Sequence, residues 1–270
     1  MSGTCPRPPK SNRSERLVKI AVVTATYNCA STIGDCLRSV AGQTHPDIEH
    51  IVVDGASGDG TVDVLHRHAS QLSRIISEPD KGIYDALNKG VANASGEVVG
   101  FLHADDVFAD AGVLEDIAAA FQNPDVDAVY GDLTYVQKAN TDQVVRYWRS
   151  SPFQRSTLAR GWMPPHPTLY LRRRLYEEFG GFDLSYRIAA DYDFMLRVLG
   201  KVEGEVVYLP RVLVKMRVGG ASNRSIRSIM RKSAEDLRAL RSNKVGGLGS
   251  LLLKNGSKIV QFVSRPASRQ

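Results

Sequence analysis

Strand patterns that stop on a polar residue, each followed by a helical pattern, recur through the first hundred residues, and this alternation leaves few folds open. The run VKIAVVTATYN (18–28) is rich in β-branched residues and ends at the turn-forming Asn28, as a strand buried on both faces does. Ser31 and Thr32 then open a helix with Ile33, Leu37 and Val40 at helical spacing, which stops near Gly42. IEHIVVDGASGDGT (48–61) supplies a second buried strand and a Gly/Asp-rich loop, with a helix over about 61–71. The strand SRIISE (73–78), the helix IYDALNKGVANA (83–94) and the strand EVVGFLHADD (97–106) continue the series. The pattern predicts an α/β fold with a mostly parallel, Rossmann-like sheet, right-handed crossovers and helices on both faces.

Further along, the spacing predicts a helix at 112–122, strands at 127–136 and 144–149, and a Gly/Pro-rich loop RGWMPPHP at 160–167. The strand TLYLRR, a helix at 173–179, the loop FGGFD, a helix at 190–199 and the strand EVVYLP (205–210) follow, and basic helices at 224–241 and 247–263 close the chain. The charge is unevenly placed. Residues 211–270 hold 14 Lys and Arg against two acids, whereas residues 1–210 hold 21 bases against 27 acids. An acidic body with a basic tail points to different partners for each, the tail suiting an anionic surface. Residues 1–16 are rich in Pro, Ser and Arg and lack an apolar signal core, so they read as a disordered leader. No run of about 18 apolar residues occurs. Cys5, Cys29 and Cys36 form neither a disulfide framework nor a zinc spacing, which fits a reducing cytoplasm. The expected division is a leader (1–16), a body (17–222, with halves 17–106 and 107–222) and a basic helical tail (223–270).

Ligands of open α/β sheets gather at the carboxyl ends of the strands, and Thr26, Asp54 and Asp105 all stand where their strands stop. Helix capping explains each singly but not the set. No P-loop glycine signature is present, so a diphosphate would need its charge met by a cation. Asp105 and Asp106 end a buried strand where Mg²⁺ or Mn²⁺ takes one or two carboxylates together with phosphate oxygens and water. Thr26, Tyr27, Asn28 and Asp54 offer polar groups and close backbone approach for a base and ribose. Asp59, Gly60 and Thr61 read as a helix cap. Asp85 and Lys89 stand one helical turn apart, as a surface ion pair does, while Asp80 and Lys81 precede the helix and could face a sugar. A base that deprotonates an attacking hydroxyl is sought among carboxylates, and Asp191 and Asp193 both open a helix; residue type leaves the choice between them open. Trp162 and His166 lie in the 155–167 loop on the acceptor side, His166 being expected either to position acceptor or phosphate or to be solvated or simply hydrogen-bonded.

The pieces VVTATYN, IEHIVVDGASGDGT, EPDKGIYDALNKG, FLHADD, PHPTLY, GGFD and AADYDFMLR, in that order over about residues 18–222, resemble the family 2 inverting glycosyltransferases of GT-A fold, especially bacterial members that build polysaccharides and glycolipids. The resemblance implies a nucleotide-sugar pocket lined by Thr26, Asn28, Asp54 and Asp85. It makes Asp105 the metal-binding carboxylate of a D-x-D element and Asp191 the catalytic base. In this chain His103-Ala104-Asp105 stands at that element, with histidine in place of the first Asp, so His103 becomes a second candidate for ribose contact or for Mn²⁺. Ala190 replaces the acid that often precedes the base. The implied reaction is a single displacement with inversion, from a nucleotide diphosphate sugar to a lipid-linked or saccharide acceptor. Sugar nucleotidyltransferase chemistry and an inactive relative are the alternatives. Nucleic acid is not an expected partner, because the body is acidic and no helix interleaves basic and aromatic readers. Of the tail, 224–241 is expected to dock on the body and 246–265 to touch an anionic membrane, at the inner face of the cell membrane.

Overall fold

The computed structural model describes residues 17–219 and 226–254. The proposed leader, the junction at 220–225 and the end of the 246–265 stretch lie outside these residues. The chain begins with β1 (Ile20–Thr26), α1 (Ile33–Ala41), β2 (Ile48–Asp54) and α2 (Thr61–Arg67). Next come β3 (Arg74–Ser77), α3 (Ile83–Ala92), β4 (Val98–Phe101), β5 (Val107–Phe108) and α4 (Val113–Ala120). The second half holds β6 (Val126–Val136), β7 (Val144–Trp148), α5 (Arg155–Leu158), β8 (Tyr170–Arg172), α6 (Arg173–Phe179), α7 (Ala190–Leu199), β9 (Glu205–Arg217) and α8 (Ile226–Ser242). Residues 248–254 add a short helix.

One nine-stranded sheet runs β3-β2-β1-β4-β8-β6-β9-β5, with β7 paired to β6. Its long ladders are parallel: β1 with β2 and β4, β2 with β3, and β6 with β9. Short antiparallel pairings of β8 to β4 and β6 join the two halves. Successive residues of a strand face opposite sides, and two cores result. Ala21, Val23, Val53 and Phe101 pack with α3, α6, α7 and α8. Ile20, Val22 and Val52 pack on the opposite face with α1, α2 and α4. The GT-A-type architecture expected from the sequence, with helices on both faces, is therefore present. Contact between α3 and β1 is close at Gly90, where a Cβ would meet Val23 Cγ1 at 2.2 Å.

Three elements differ from expectation. The strand placed at 97–106 ends at Phe101. Residues 102–106 turn, with Asp106 N donating to His103 O at 2.9 Å, and β5 then pairs with β9. The strand placed at 205–210 continues to Arg217, because the parallel ladder resumes after a bulge: Gly131 faces Leu209 and Asp132 faces Val212, so Pro210, which has no N–H to give, is skipped. The short α5 was not anticipated. The tail helix α8 docks as expected, burying Asp236, Ala239 and Leu240 against the body. Part of the stretch assigned to lipid also docks. Within 248–254 Ser250 and Lys254 are buried, while Leu248, Leu252 and Leu253 face solvent.

Candidate active site

The parallel strands end along one edge: Thr26 is in register with Asp54, and Asp54 with Ser77. At this edge Asn28 adopts φ +52°, a left-handed turn that asparagine tolerates. The turn is tied to the loop after β2. Asn28 N donates to Ser57 Oγ (2.8 Å), and Asn28 Oδ1 accepts from Gly58 N (3.0 Å). Asp54 is fully buried and works as the hub of this loop: Oδ2 accepts from Ser57 N (3.0 Å) and Ser77 Oγ (2.7 Å), and Oδ1 accepts from Ser57 Oγ. Asp54 thus shapes the loop after β2 with both oxygens already engaged, a part that Ser57 and Ser77 share and that DGASGDGT only hinted at. Asp59 is not the cap of α2, whose N-cap is Gly60. Its carboxylate joins the two loops, accepting from Ala30 N and Thr61 N at 3.0 Å each. Tyr27 is exposed, and the Oγ1 of Thr26 is buried with no partner.

Asp80 and Asp85 brace the entry to α3. Asp80 Oδ1 accepts from Gly82 N (2.7 Å), and Asp85 Oδ2 accepts from Lys81 N (3.0 Å). Asp80 Oδ2 also lies against Gly55, where a Cβ would come within 2.5 Å of it. The expected pairing of Lys89 with Asp85 is the looser of two, at 3.8 Å against 2.7 Å to Glu78.

Beyond the end of β4 the turn carries His103, Ala104 and Asp105. Ala104 is buried in the core and offers the site backbone only. His103 has a buried Nδ1 with no hydrogen-bond partner. Burial lowers its pKa, and the charges of Asp105 and Asp191 pull it upward, so one imidazole feels both carboxylates. His166 is neither solvated nor hydrogen-bonded through Nε2, contrary to one expectation for a loop histidine. It is buried in a 3₁₀ turn against Phe101 and Phe182, its ring 6.1 Å from that of His103, and burial pushes its pKa down to about 4. The site is therefore edged by two neutral imidazoles and two carboxylates.

The two helix-opening acids have different surroundings. Asp193 is buried, with Oδ1 accepting from Asn243 Nδ2 (2.8 Å) and Oδ2 3.3 Å from an Arg197 nitrogen. Its oxygens are thus committed inside the protein. Asp191 is partly exposed and accepts from the Tyr84 hydroxyl at 3.1 Å. Trp162 is half-buried, donates Nε1 to Ser151 Oγ (3.1 Å) and packs edge-on to Tyr130. Asp106 does not join Asp105 at the surface. It is fully buried, Oδ1 accepts from Arg217 N (3.1 Å), and burial followed by the charge of Asp105 raises its carboxyl well above the usual range. Arg217, which nothing in the local sequence marks, holds the turn by donating to Asp105 O (2.8 Å) and to Asp35.

Among the described residues no three His, Cys, Asp or Glu side chains converge as a metal cage. The arrangement fits a different mode, in which a hard ion takes one or two protein ligands and fills its remaining positions with phosphate oxygens and water. Asp105, with the unpartnered Nδ1 of His103 beside it, meets that need.

The sequence model of the glycosyl transferase family 2 matches residues 21–182, from β1 to the loop before α7. The chain belongs to this family. A PGL/p-HBAD biosynthesis glycosyltransferase of Mycobacterium bovis (strain BCG / Pasteur 1173P2) is 33% identical over 208 residues, 75% of this chain and 78% of that protein. An uncharacterized glycosyltransferase of Mycobacterium tuberculosis is 34% identical over 183 residues, 66% of this chain and 68% of its own. Among solved structures, S. aureus TarS 1-349 in complex with UDP-GlcNAc superposes with a TM-score of 0.68 at 20% identity, over 84% of this chain and 66% of that one. The mannosyltransferase PcManGT from Pyrobaculum calidifontis, in complex with GDP-Man and Mn²⁺, gives 0.61 at 20% identity, over 92% and 76%. The glycosyltransferase is thus tied to its family by sequence and to these two structures by fold. Its family match ends before Asp191, so the helix that carries the proposed base is outside the matched segment.

Proposed function

We propose that this glycosyltransferase moves a hexosyl unit from a nucleotide diphosphate sugar to a hydroxyl of a lipid-linked or saccharide acceptor, with inversion and with the help of a divalent cation. The reading is supported by the packing of the His103 ring 6.1 Å from that of His166, next to Asp105, with the charges of Asp105 and Asp191 both acting on it. A donor whose diphosphate meets Asp105 then has its anomeric carbon within reach of an acceptor next to Asp191. Asp191 takes the acceptor proton as the hydroxyl attacks, and inversion follows from a single displacement. No enzyme-bound sugar is formed. Mn²⁺ or Mg²⁺, held by Asp105 and His103, would neutralise charge on the leaving diphosphate. The neutral histidines add no positive charge to compete with it. The Tyr84 hydroxyl keeps Asp191 in one rotamer.

The nucleotide side of the hollow comprises Thr26, Tyr27, Asn28 and the loop organised by Asp54, with Asp80, Lys81 and Asp85 at the mouth toward the sugar. Trp162 and His166 edge the acceptor side. No helix among the described residues is long and apolar enough to cross a membrane. The outward leucines of 248–254 and the basic tail support peripheral contact with an anionic membrane, at its cytoplasmic face.

A melting-temperature screen with UDP, GDP and dTDP, each with and without Mn²⁺, tests the donor half, since a ligand that binds only the folded state raises its stability. One nucleotide should stabilise the protein more with Mn²⁺ than without. Asp191→Asn should then lower turnover by roughly 10²- to 10⁴-fold with donor binding nearly intact. Unchanged turnover in Asp191→Asn would remove Asp191 as the base, and silence of every nucleotide would remove the donor assignment.

A further inference from the structure

We infer that Glu235, on the tail helix α8, is a positioning residue for Asp191, so that the basic tail is a working part of the catalytic site; this rests on Asp191 being the base. The amides at the start of a helix have no partners within it and are ordinarily met by a side chain at the N-cap. In α7 that place is held by Ala189, which has nothing to offer. Glu235, from another helix, instead takes the amides of the segment that leads into α7, of which that of Ala189 is one of the helix's own unpaired ones. Its Oε1 accepts from Arg187 N (3.2 Å), and its Oε2 accepts from Ile188 N (2.8 Å) and Ala189 N (3.0 Å). Bonds from amides to a charged carboxylate are stronger than neutral ones, and the positive end of a helix favours an anion there.

The same stretch is gripped from the opposite side. The Tyr84 hydroxyl lies 2.6 Å from Ile188 O as well as 3.1 Å from Asp191 Oδ1. The single hydroxyl proton is shared between these two acceptors, so Tyr84 bridges Ile188 O and Asp191, three residues apart, while Glu235 holds the Ile188 amide. Further contacts along α8 and beyond it reinforce the hold. Arg238 donates to Ser185 Oγ (2.7 Å), with its guanidinium 4.3 Å from the centre of the Tyr186 ring. Asn243 donates to Asp193 Oδ1. Lys254, almost fully buried, lies 2.9 Å from Asp236 Oδ2 and 3.1 Å from the centre of the ring of Tyr192, the neighbour of Asp191 in sequence. These contacts fix where along its axis the first turn of α7 begins. A base displaced by about 1 Å loses on the order of 10²-fold in rate, so the carboxylate that sets this position acts on turnover without touching substrate.

The test uses the full chain with Glu235→Ala, Glu235→Gln and Asp191→Asn in parallel. Amide hydrogen exchange at 187–189 reads the geometry. Release of nucleoside diphosphate from UDP-glucose, GDP-mannose and dTDP-glucose with Mn²⁺, water standing in for the acceptor, reads the chemistry. In Glu235→Ala the amides of 187–189 should exchange faster while those of β1 keep their protection. Its kcat should fall roughly 10- to 100-fold, with the donor KM and UDP or GDP affinity within about twofold of the parent. Glu235→Gln keeps one acceptor oxygen for Ile188 and Ala189 and should fall in between. A merely structural residue would lower the melting temperature and leave kcat per folded molecule unchanged, and that result overturns the inference. So does unaltered exchange at 187–189, whatever the turnover. If Asp191→Asn is silent while Glu235→Ala matches the parent, the positioning role alone fails. If Asp191→Asn turns over normally, both readings fall together.

Discussion

The Tyr84 hydroxyl stands 3.1 Å from the carboxylate of Asp191, linking the first turn of α3 to the first turn of α7. Burial, and then the negative charge of Asp191, raise the phenol pKa far above its ordinary value, so it stays protonated and remains a donor throughout the working pH range. A hydrogen bond to a charged group is worth about 1.5–3 kcal/mol. Tyr84→Phe should accordingly reduce kcat by roughly 10- to 100-fold, because the carboxylate loses the group that fixes its rotamer. The donor KM should change less than kcat, since the Tyr84 hydroxyl is engaged with Asp191 and with Ile188 O. Steady-state kinetics with varied donor separate the two. A rise in KM at constant kcat would assign Tyr84 to binding.

The alternation that made the first half readable worked because β1, most of β2 and β4 are buried on both faces, which leaves continuous apolar runs that end on polar residues. Thr26 and Asp54 were visible as polar residues closing such runs, although both are buried, and Asp105 as a carboxylate in the turn four residues beyond β4. The bulge at Pro210 hid the second half of β9, since proline reads as an end when only local pattern is available. His166 looked like a solvated loop residue because its burial comes from Phe101 and Phe182, which lie 65 residues before it and 16 after it. Asp191 and Asp193 are indistinguishable as letters. What separates them is Asn243 and Arg197 on one and Tyr84 on the other. The tie from Glu235 to the segment before α7 had no local signal either, because it closes a gap of 46 to 48 residues.

His50 predicts a specific acid weakness of the fold. It sits in β2, buried, with Nε2 3.0 Å from Thr24 Oγ1, and desolvation pulls its pKa from 6.5 down to about 3. The unfolded chain therefore binds this proton between pH 6.5 and about 3 while the folded chain does not. Stability contributed by the neutral ring is full above pH 6.5 and is lost as pH falls through that window, by up to several kcal/mol. His50→Gln, which keeps a hydrogen-bonding group but does not titrate, should flatten the fall in unfolding free energy between pH 6.5 and 4. Denaturant melts at half-unit steps of pH measure this, and parallel curves for the two proteins would refute it.

Adjacent Asp105 and Asp106 should respond in opposite ways to the same substitution. Asp106 is buried, with burial and then Asp105 raising its carboxyl well above the usual range and with Oδ1 accepting from Arg217 N, and an asparagine keeps its shape and that acceptor oxygen. Asp105 is partly exposed, and its charge acts on His103. Asp106→Asn should keep the Mn²⁺-dependent rise in melting temperature given by the nucleotide that binds, and should keep most of the turnover. Asp105→Asn should lose the Mn²⁺-dependent part of the rise and lower turnover by at least 10²-fold, as expected where a carboxylate ligand of a hard cation is removed. Equal losses in the two variants would mean that the turn itself, and not one carboxylate, is what matters.

The short helix 248–254 has two unlike faces, and the difference makes a membrane contact testable without unfolding the tail. Ser250 and Lys254 are buried, whereas Leu248, Leu252 and Leu253 are 59%, 71% and 56% exposed. Three leucines left in water on one short helix forgo about 1.5–3 kcal/mol each of burial, which a lipid surface would restore. The bases of residues 211–270 would add attraction to an anionic headgroup layer, screened by salt. Cutting the chain after residue 243 is a poor probe, because it also removes Lys254 from Asp236 and from the Tyr192 ring beside Asp191. Leu252→Ser combined with Leu253→Ser removes apolar surface and leaves those contacts alone. The parent protein should sediment with phosphatidylglycerol vesicles at low ionic strength, less so at high ionic strength, and little with phosphatidylcholine alone. The double variant should lose most of this binding with its melting temperature unchanged. Equal binding by the double variant would move the contact off this helix, and no binding by the parent would end the membrane assignment.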